Sequence, residues 1–114
     1  MQQSPIFAKT YDLLLWLVPR TLKFPREQRF VLAKAVQETA LRFHERLIEA
    51  GMCGGRDQQR ALARADVDLT KLRFYLRLCQ DLDLISLNAY RHVSEMVAEV
   101  GRLLGGWQKS VGMA

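Results

Sequence analysis

Two cysteines and two histidines are the whole stock of thiol and imidazole groups in these 114 residues. Cys53 and Cys79 are too few for a disulfide framework, and no Cys-x-x-Cys pair is present. His44 and His92 stand in no Glu-x-x-His spacing, which removes the di-iron bundle pattern. A glycine-rich phosphate loop is missing as well. These gaps argue against an enzyme and against a bound metal or cofactor. The apolar run Leu13–Val18 is far below the roughly 20 residues needed to cross a bilayer, so no membrane partner is expected. The start, Met1-Gln2-Gln3-Ser4-Pro5, has no basic leader region. With so little cysteine, the expected setting is the reducing cytoplasm. Sustained polar–apolar alternation and paired turn signals are absent too, so strands are not expected.

What the chain does have is helical periodicity. The length fits one domain, residues 1–114, with a single modest core. The first helix is read from about Pro5 to Leu22, with Ser4 as N-cap and Pro5 in the first turn. Its expected inner face is Phe7, Tyr11, Leu14, Leu15 and Val18, and Pro19 is expected to bend or end it near Val18. The second, from about Pro25 to Ala50, turns Phe30, Ala33, Val36, Ala40, Phe43 and Leu47 inward and stops at Gly51. Residues 51–56 read as a loop. The third, from about Asp57 to Leu82, carries Leu62, Ala65, Leu69, Leu72, Leu76 and Cys79 in the 3-4-3-4-3 spacing of a packed bundle. Ser86 caps a fourth from about Leu87 to Gln108, with Tyr90, Val93, Val97, Val100, Leu104 and Trp107 inward. Gly101 and Gly105 within it are spaced to let a neighbouring helix approach closely, with fraying at the helix end as the other account of Gly105 and Gly106. Short connections make successive helices antiparallel, so the expected fold is all-α, an up-down-up-down four-helix bundle.

Charge is the one polar feature above background. The net charge is +5. Residues 56–77 hold six basic side chains, Arg56, Arg60, Arg64, Lys71, Arg73 and Arg77, against Asp57, Asp66 and Asp68. Arg56, Arg60 and Arg64 repeat every four residues, and Arg73 with Arg77 is read as continuing a ribbon about 30 Å long at ~1.5 Å rise per residue. Arginine engages phosphate bidentately, so a polyanion is the natural partner. The alternative is an ordinary solvated face. His44, beside Phe43, reads as a core-boundary residue, and His92, beside Arg91, as a surface one. Glu45, Glu49, Glu95 and Glu99 recur at helical spacing. A solvated face partnered by Arg42 and Arg46 is preferred there to a metal-ligand set.

Four segments together resemble a known family. They are Tyr11-Asp12, Phe24-Pro25-Arg26, Leu72-Arg73-Phe74-Tyr75-Leu76-Arg77, and Glu99-Val100-Gly101-Arg102-Leu103-Leu104-Gly105-Gly106-Trp107. The chain is similar to the accessory variability determinant proteins of diversity-generating retroelements. The resemblance implies a four-helix bundle that assembles as a barrel-like homopentamer. It implies binding to the retroelement's reverse transcriptase and to template RNA or DNA, in support of mutagenic copying, with no polymerase activity of its own. Arg73 and Arg77 match a motif whose basic groups are implicated in those contacts. The assignment of Arg56, Arg60 and Arg64 rests on charge spacing alone. An oligomer would also account for Trp16 and Trp107 near helix ends. The chain lacks a strongly basic C-terminal tail, since Lys109 alone follows Trp107 among cations.

The Phe-Pro-Arg opening is shared with bundles encoded in ribosomal RNA intervening sequences. A structural or interaction bundle of that type, with no essential nucleic-acid role, is therefore the alternative. A small enzyme or metal-binding bundle is the third possibility.

Overall fold

Four helices carry most of the chain in the computed structural model, which describes residues 4–113. The leader reading at Met1-Gln2-Gln3 lies outside those residues. The helices are α1 (Pro5–Thr21), α2 (Lys34–Met52), α3 (Gly55–Asp81) and α4 (Leu87–Met113). No strand occurs among the described residues. The helices close a cycle: α2 lies on α3, α3 on α4, and α1 on both α4 and α2. The body is elongated, 46 × 24 × 22 Å. Its length follows from the helices, since 27 residues of α3 at ~1.5 Å each span about 40 Å.

The core is made where the apolar stripes of all four helices meet. Phe43, Leu47, Leu62, Leu69, Leu72, Val93, Val97, Val100 and Leu104 are all buried, as the periodicity predicts. Cys79 is buried among them, and burial pushes its thiol up to about 11. Ser86 caps α4 with its hydroxyl, which accepts from the Ala89 N–H at 3.1 Å.

In α1 the expected inner face holds only in part, since Phe7 and Leu14 pack against the core from its edge. The buried side is Ile6, Thr10, Leu13, Leu17 and Thr21. Tyr11 and Leu15 are 58% and 59% exposed, and Phe7, Leu14 and Val18 are only half-buried. Leu13–Val18 is apolar at every position, so periodicity alone cannot choose a side. Contacts choose it instead. Phe7 meets the Trp107 ring edge-on at 5.9 Å, and Trp16 lies against His92 at 5.7 Å. Both tryptophans are thus engaged within the chain. Thr21 Oγ1 donates to the Val18 carbonyl at 2.9 Å and accepts from Gln37 Nε2 at 2.8 Å, which draws α1 toward α2. Nor does Pro19 end α1, which runs on to Thr21.

Three further differences concern connections. The second helical segment does not begin as α-helix. A 3-10 turn (Arg26–Gln28) leads into a π-helical turn (Arg29–Ala33). The wider π turn shifts the phase, so Leu32 and Ala33 face inward and Phe30 is left 84% exposed. The expected loop at 51–56 shrinks to Cys53 and Gly54, because α2 continues through Met52 and α3 begins at Gly55. Gly55 takes φ 58°, a left-handed conformation that suits glycine in so short a turn. Gln58 Nε2 donates back to the Ala50 carbonyl at 2.9 Å, alongside the Cys53 N–H at 3.4 Å, and so ties the start of α3 to the end of α2. Helix α4 runs past the expected Gln108 to Met113.

Candidate nucleic-acid interface

All five arginines singled out from the sequence sit on α3 and all are exposed. They do not form one ribbon. The four-residue repeat Arg56, Arg60, Arg64 would next reach position 68, and Asp68 is 3% exposed. At about 100° per residue, the nine-residue step from Arg64 to Arg73 is half a turn out of phase. The helix therefore carries two basic patches. Arg56, Arg60 and Arg64 lie on the outward side of its first half. Arg73 and Arg77 lie near its last turns, on the flank toward α4.

The α4 flank is shaped by one glycine. A methyl group on Gly101 would overlap the Arg73 guanidinium and stand 3.5 Å from Leu69 Cδ2. The arginine thus lies over α4 where that helix has no side chain. The close approach that Gly101 permits is made by a side chain rather than by a helix. At Gly105, a methyl group would find nothing within 4 Å. Beside Arg73 is a cavity of about 200 Å³ lined by Leu76, Tyr90, Ser94, Val97 and Ala98. Two segments far apart in sequence, Leu72–Arg77 and Glu99–Trp107, therefore meet at Arg73 and Gly101.

The charges differ in how far they are already neutralised. Arg77 Nε stands 4.0 Å from Asp81 Oδ2, and Arg60 Nη1 stands 3.9 Å from Asp57 Oδ1. Both pairs are exposed and contribute about 0–1 kcal/mol. Among the described residues, Arg56, Arg64 and Arg73 have no carboxylate within 4.0 Å. Outward apolar groups accompany them: Val67, Phe74 and Leu78 form an exposed stripe along α3, with Phe74 at 67%. Exposed apolar groups along one face are a mark of an interaction surface.

The opposite flank of α3 holds a cluster the sequence did not reveal. Asp68 Oδ1 accepts from Arg42 Nε at 3.1 Å, and Arg46 Nε stands 3.6 Å from Oδ2. Arg42 and Arg46 are therefore partners of a buried carboxylate, although Arg46 also comes within 3.9 Å of Glu49. A hint was present in the sequence. Asp68 stands seven residues after Ala61 and seven before Tyr75, which places it at the edge of the packed stripe and not on the outward side. Among the described residues, no three His, Cys, Asp or Glu side chains gather as a metal site would require. No helix among them is long and apolar enough to cross a membrane.

Comparison with known families decides the kinship. The family model described as bAvd-like matches residues 5–111. The chain belongs to the bAvd-like family. That span takes in all four of the segments that carry the resemblance. Among curated protein sequences none matches. Among solved structures, the fold is similar to a crystal structure of a protein of unknown function from Bacteroides thetaiotaomicron. That protein is assigned to the S23 ribosomal protein family. The likeness has a TM-score of 0.83 at 20% identity, covering 91% of this chain and 95% of the other. At that identity it establishes the shared fold.

Proposed function

We propose that this bAvd-like chain is a non-catalytic accessory protein of a diversity-generating retroelement. It binds the reverse transcriptase and the template RNA or DNA in the cytoplasm, and so supports mutagenic reverse transcription. Arg73 and Arg77 are the first contacts, with Arg56, Arg60 and Arg64 as a second patch. The chain acts as a barrel-like homopentamer. The family match over residues 5–111 carries this reading. The exposed arginines, of which Arg56, Arg64 and Arg73 have no carboxylate within 4.0 Å among the described residues, support the polyanion partner, and the exposed stripe Val67, Phe74 and Leu78 supports self-assembly. Five copies of a +5 chain would also concentrate a field that one copy supplies only weakly.

The test is the double variant Arg73→Glu, Arg77→Glu, measured for binding to template RNA and to the polymerase. Binding should fall at least about tenfold, and RNA affinity of the parent should drop steeply with salt. Thermal unfolding should barely move, because both side chains are exposed. Unchanged binding, or an unfolded variant, would remove these arginines from the interface. Light scattering should give the mass of five chains. The alternative, an interaction bundle of the ribosomal RNA intervening-sequence type, is favoured by Phe24-Pro25-Arg26 and predicts no salt-dependent RNA binding by the parent.

A further inference from the structure

The junction between α1 and α2 is more basic than either α3 patch. Residues 20–34 hold Arg20, Lys23, Arg26, Arg29 and Lys34 against a single acid, Glu27. Arg20 is engaged locally: it lies 3.9 Å over the Trp16 ring and donates to the Trp16 carbonyl at 3.2 Å. The other four have no carboxylate within 4.0 Å among the described residues. Between these cations lie the exposed apolar groups Leu22, Phe30 and Val31. Phe30, at 84%, is the most exposed large hydrophobic residue described.

The backbone presents this cluster in a fixed way. Phe24 is buried and anchors the turn, and the Phe24 N–H donates to the Thr21 carbonyl at 3.2 Å. Gln28 N–H donates to the Pro25 carbonyl at 2.8 Å. The π turn then swings Phe30 and Val31 out while Leu32 and Ala33 enter the core. A wide turn of this kind is frequent at functional sites. Folding gains little from Phe30 where it stands.

We propose that this junction is a docking surface for single-stranded nucleic acid. Phe30 offers a face on which an unpaired base stacks, and Arg26, Arg29, Lys23 and Lys34 take the flanking phosphates. A duplex would satisfy the cations but leave Phe30 unused, because its bases are already stacked and paired. The inference rests on the reading of the chain as a nucleic-acid-binding accessory, and adds a site outside α3.

The test uses the full chain and a labelled single-stranded polyuridine probe, with a duplex of equal length and vesicles of anionic lipid as comparisons. Phe30→Ala should weaken polyuridine binding roughly tenfold, and Phe30→Trp should retain it. Arg26→Glu with Arg29→Glu should weaken binding and flatten its salt dependence. Duplex affinity should not respond to Phe30→Ala. Circular dichroism melting and light scattering are run on every variant. Unchanged polyuridine binding by Phe30→Ala overturns the proposal. So does a change of oligomeric mass, which would make Phe30 a subunit contact. Phe30-dependent binding to vesicles without binding to polyuridine makes the surface a lipid site instead. Loss through Arg73→Glu, Arg77→Glu but not through Phe30→Ala overturns this site and leaves the proposed function standing. A parent chain that binds no nucleic acid overturns both.

Discussion

The two flanks of α3 use arginine in opposite ways. Toward α2, Arg42 and Arg46 reach to Asp68, whose carboxylate is almost wholly withdrawn from water. Toward α4, Arg73 and Arg77 stay exposed, one laid over Gly101 and the other loosely beside Asp81. The first flank commits its charge to joining two helices. The second leaves its charge largely unneutralised. A guanidinium that already has a buried carboxylate gains little from a phosphate, because its field is cancelled at close range. The polyanion contacts are therefore expected on the α4 flank and not on the α2 flank, although both carry two arginines.

The sharpest way to break this comparison is to remove the arginines that serve Asp68. Arg42→Met with Arg46→Met leaves a buried carboxylate unpaired and should cost about 3–5 kcal/mol in urea unfolding. A loss under about 1 kcal/mol would mean that Asp68 reaches water and that the flanks are alike.

Next in size is a pH effect on the inner side of the helix. The Cys79 thiol ionises at about 11 in the folded chain against 9.0 as its ordinary value. The unfolded chain gives up its proton first, so stability is intact below pH 9.0 and falls between there and about 11. Cys79→Ala should remove that part of the alkaline slope. An unchanged slope in Cys79→Ala would place the cause elsewhere. At neutral pH, an alkylating reagent should label exposed Cys53 and spare Cys79 until unfolding.

Gly101→Ala separates folding from function on the α4 flank. The added methyl overlaps only the far end of the Arg73 side chain, which can swing aside, and makes an ordinary 3.5 Å contact with Leu69 Cδ2. Alanine in a helix gains about 1 kcal/mol over glycine, so melting should hold or rise slightly. Binding to RNA or polymerase should still weaken, because Arg73 is displaced. A variant that melts early would show that Gly101 serves packing rather than the arginine. The smallest effect is expected at Asp81→Ala. The exposed pair with Arg77 contributes under about 1 kcal/mol, so stability hardly changes. Freed of its partner, Arg77 should bind a polyanion slightly more tightly in a salt titration.

The stripes of α2, α3 and α4 were legible in the sequence because polar residues interrupt them at regular intervals. Leu62 through Cys79 and Val93 through Leu104 are buried where their spacing puts them. The α1 stripe was illegible because Leu13–Val18 offers an apolar residue in every direction. Phe30 misled for another reason. Its spacing from Ala33 fits an α-helix, and the backbone there is π-helical. At the candidate site, the sequence named the arginines and the motifs that contain them. It joined them into one ribbon because a four-residue repeat was extended past Asp68.

By itself, then, the sequence determined an all-helical chain, the buried faces of three helices, and a surplus of basic charge. Those follow from local periodicity and charge, which need no partner to be read. Only the tertiary structure decided which side of α1 is buried, which arginines Asp68 consumes, and that Gly101 lies under Arg73. Each of those depends on what stands across from a residue. Helices distant in the chain supply that neighbour, and no spacing within one helix records it.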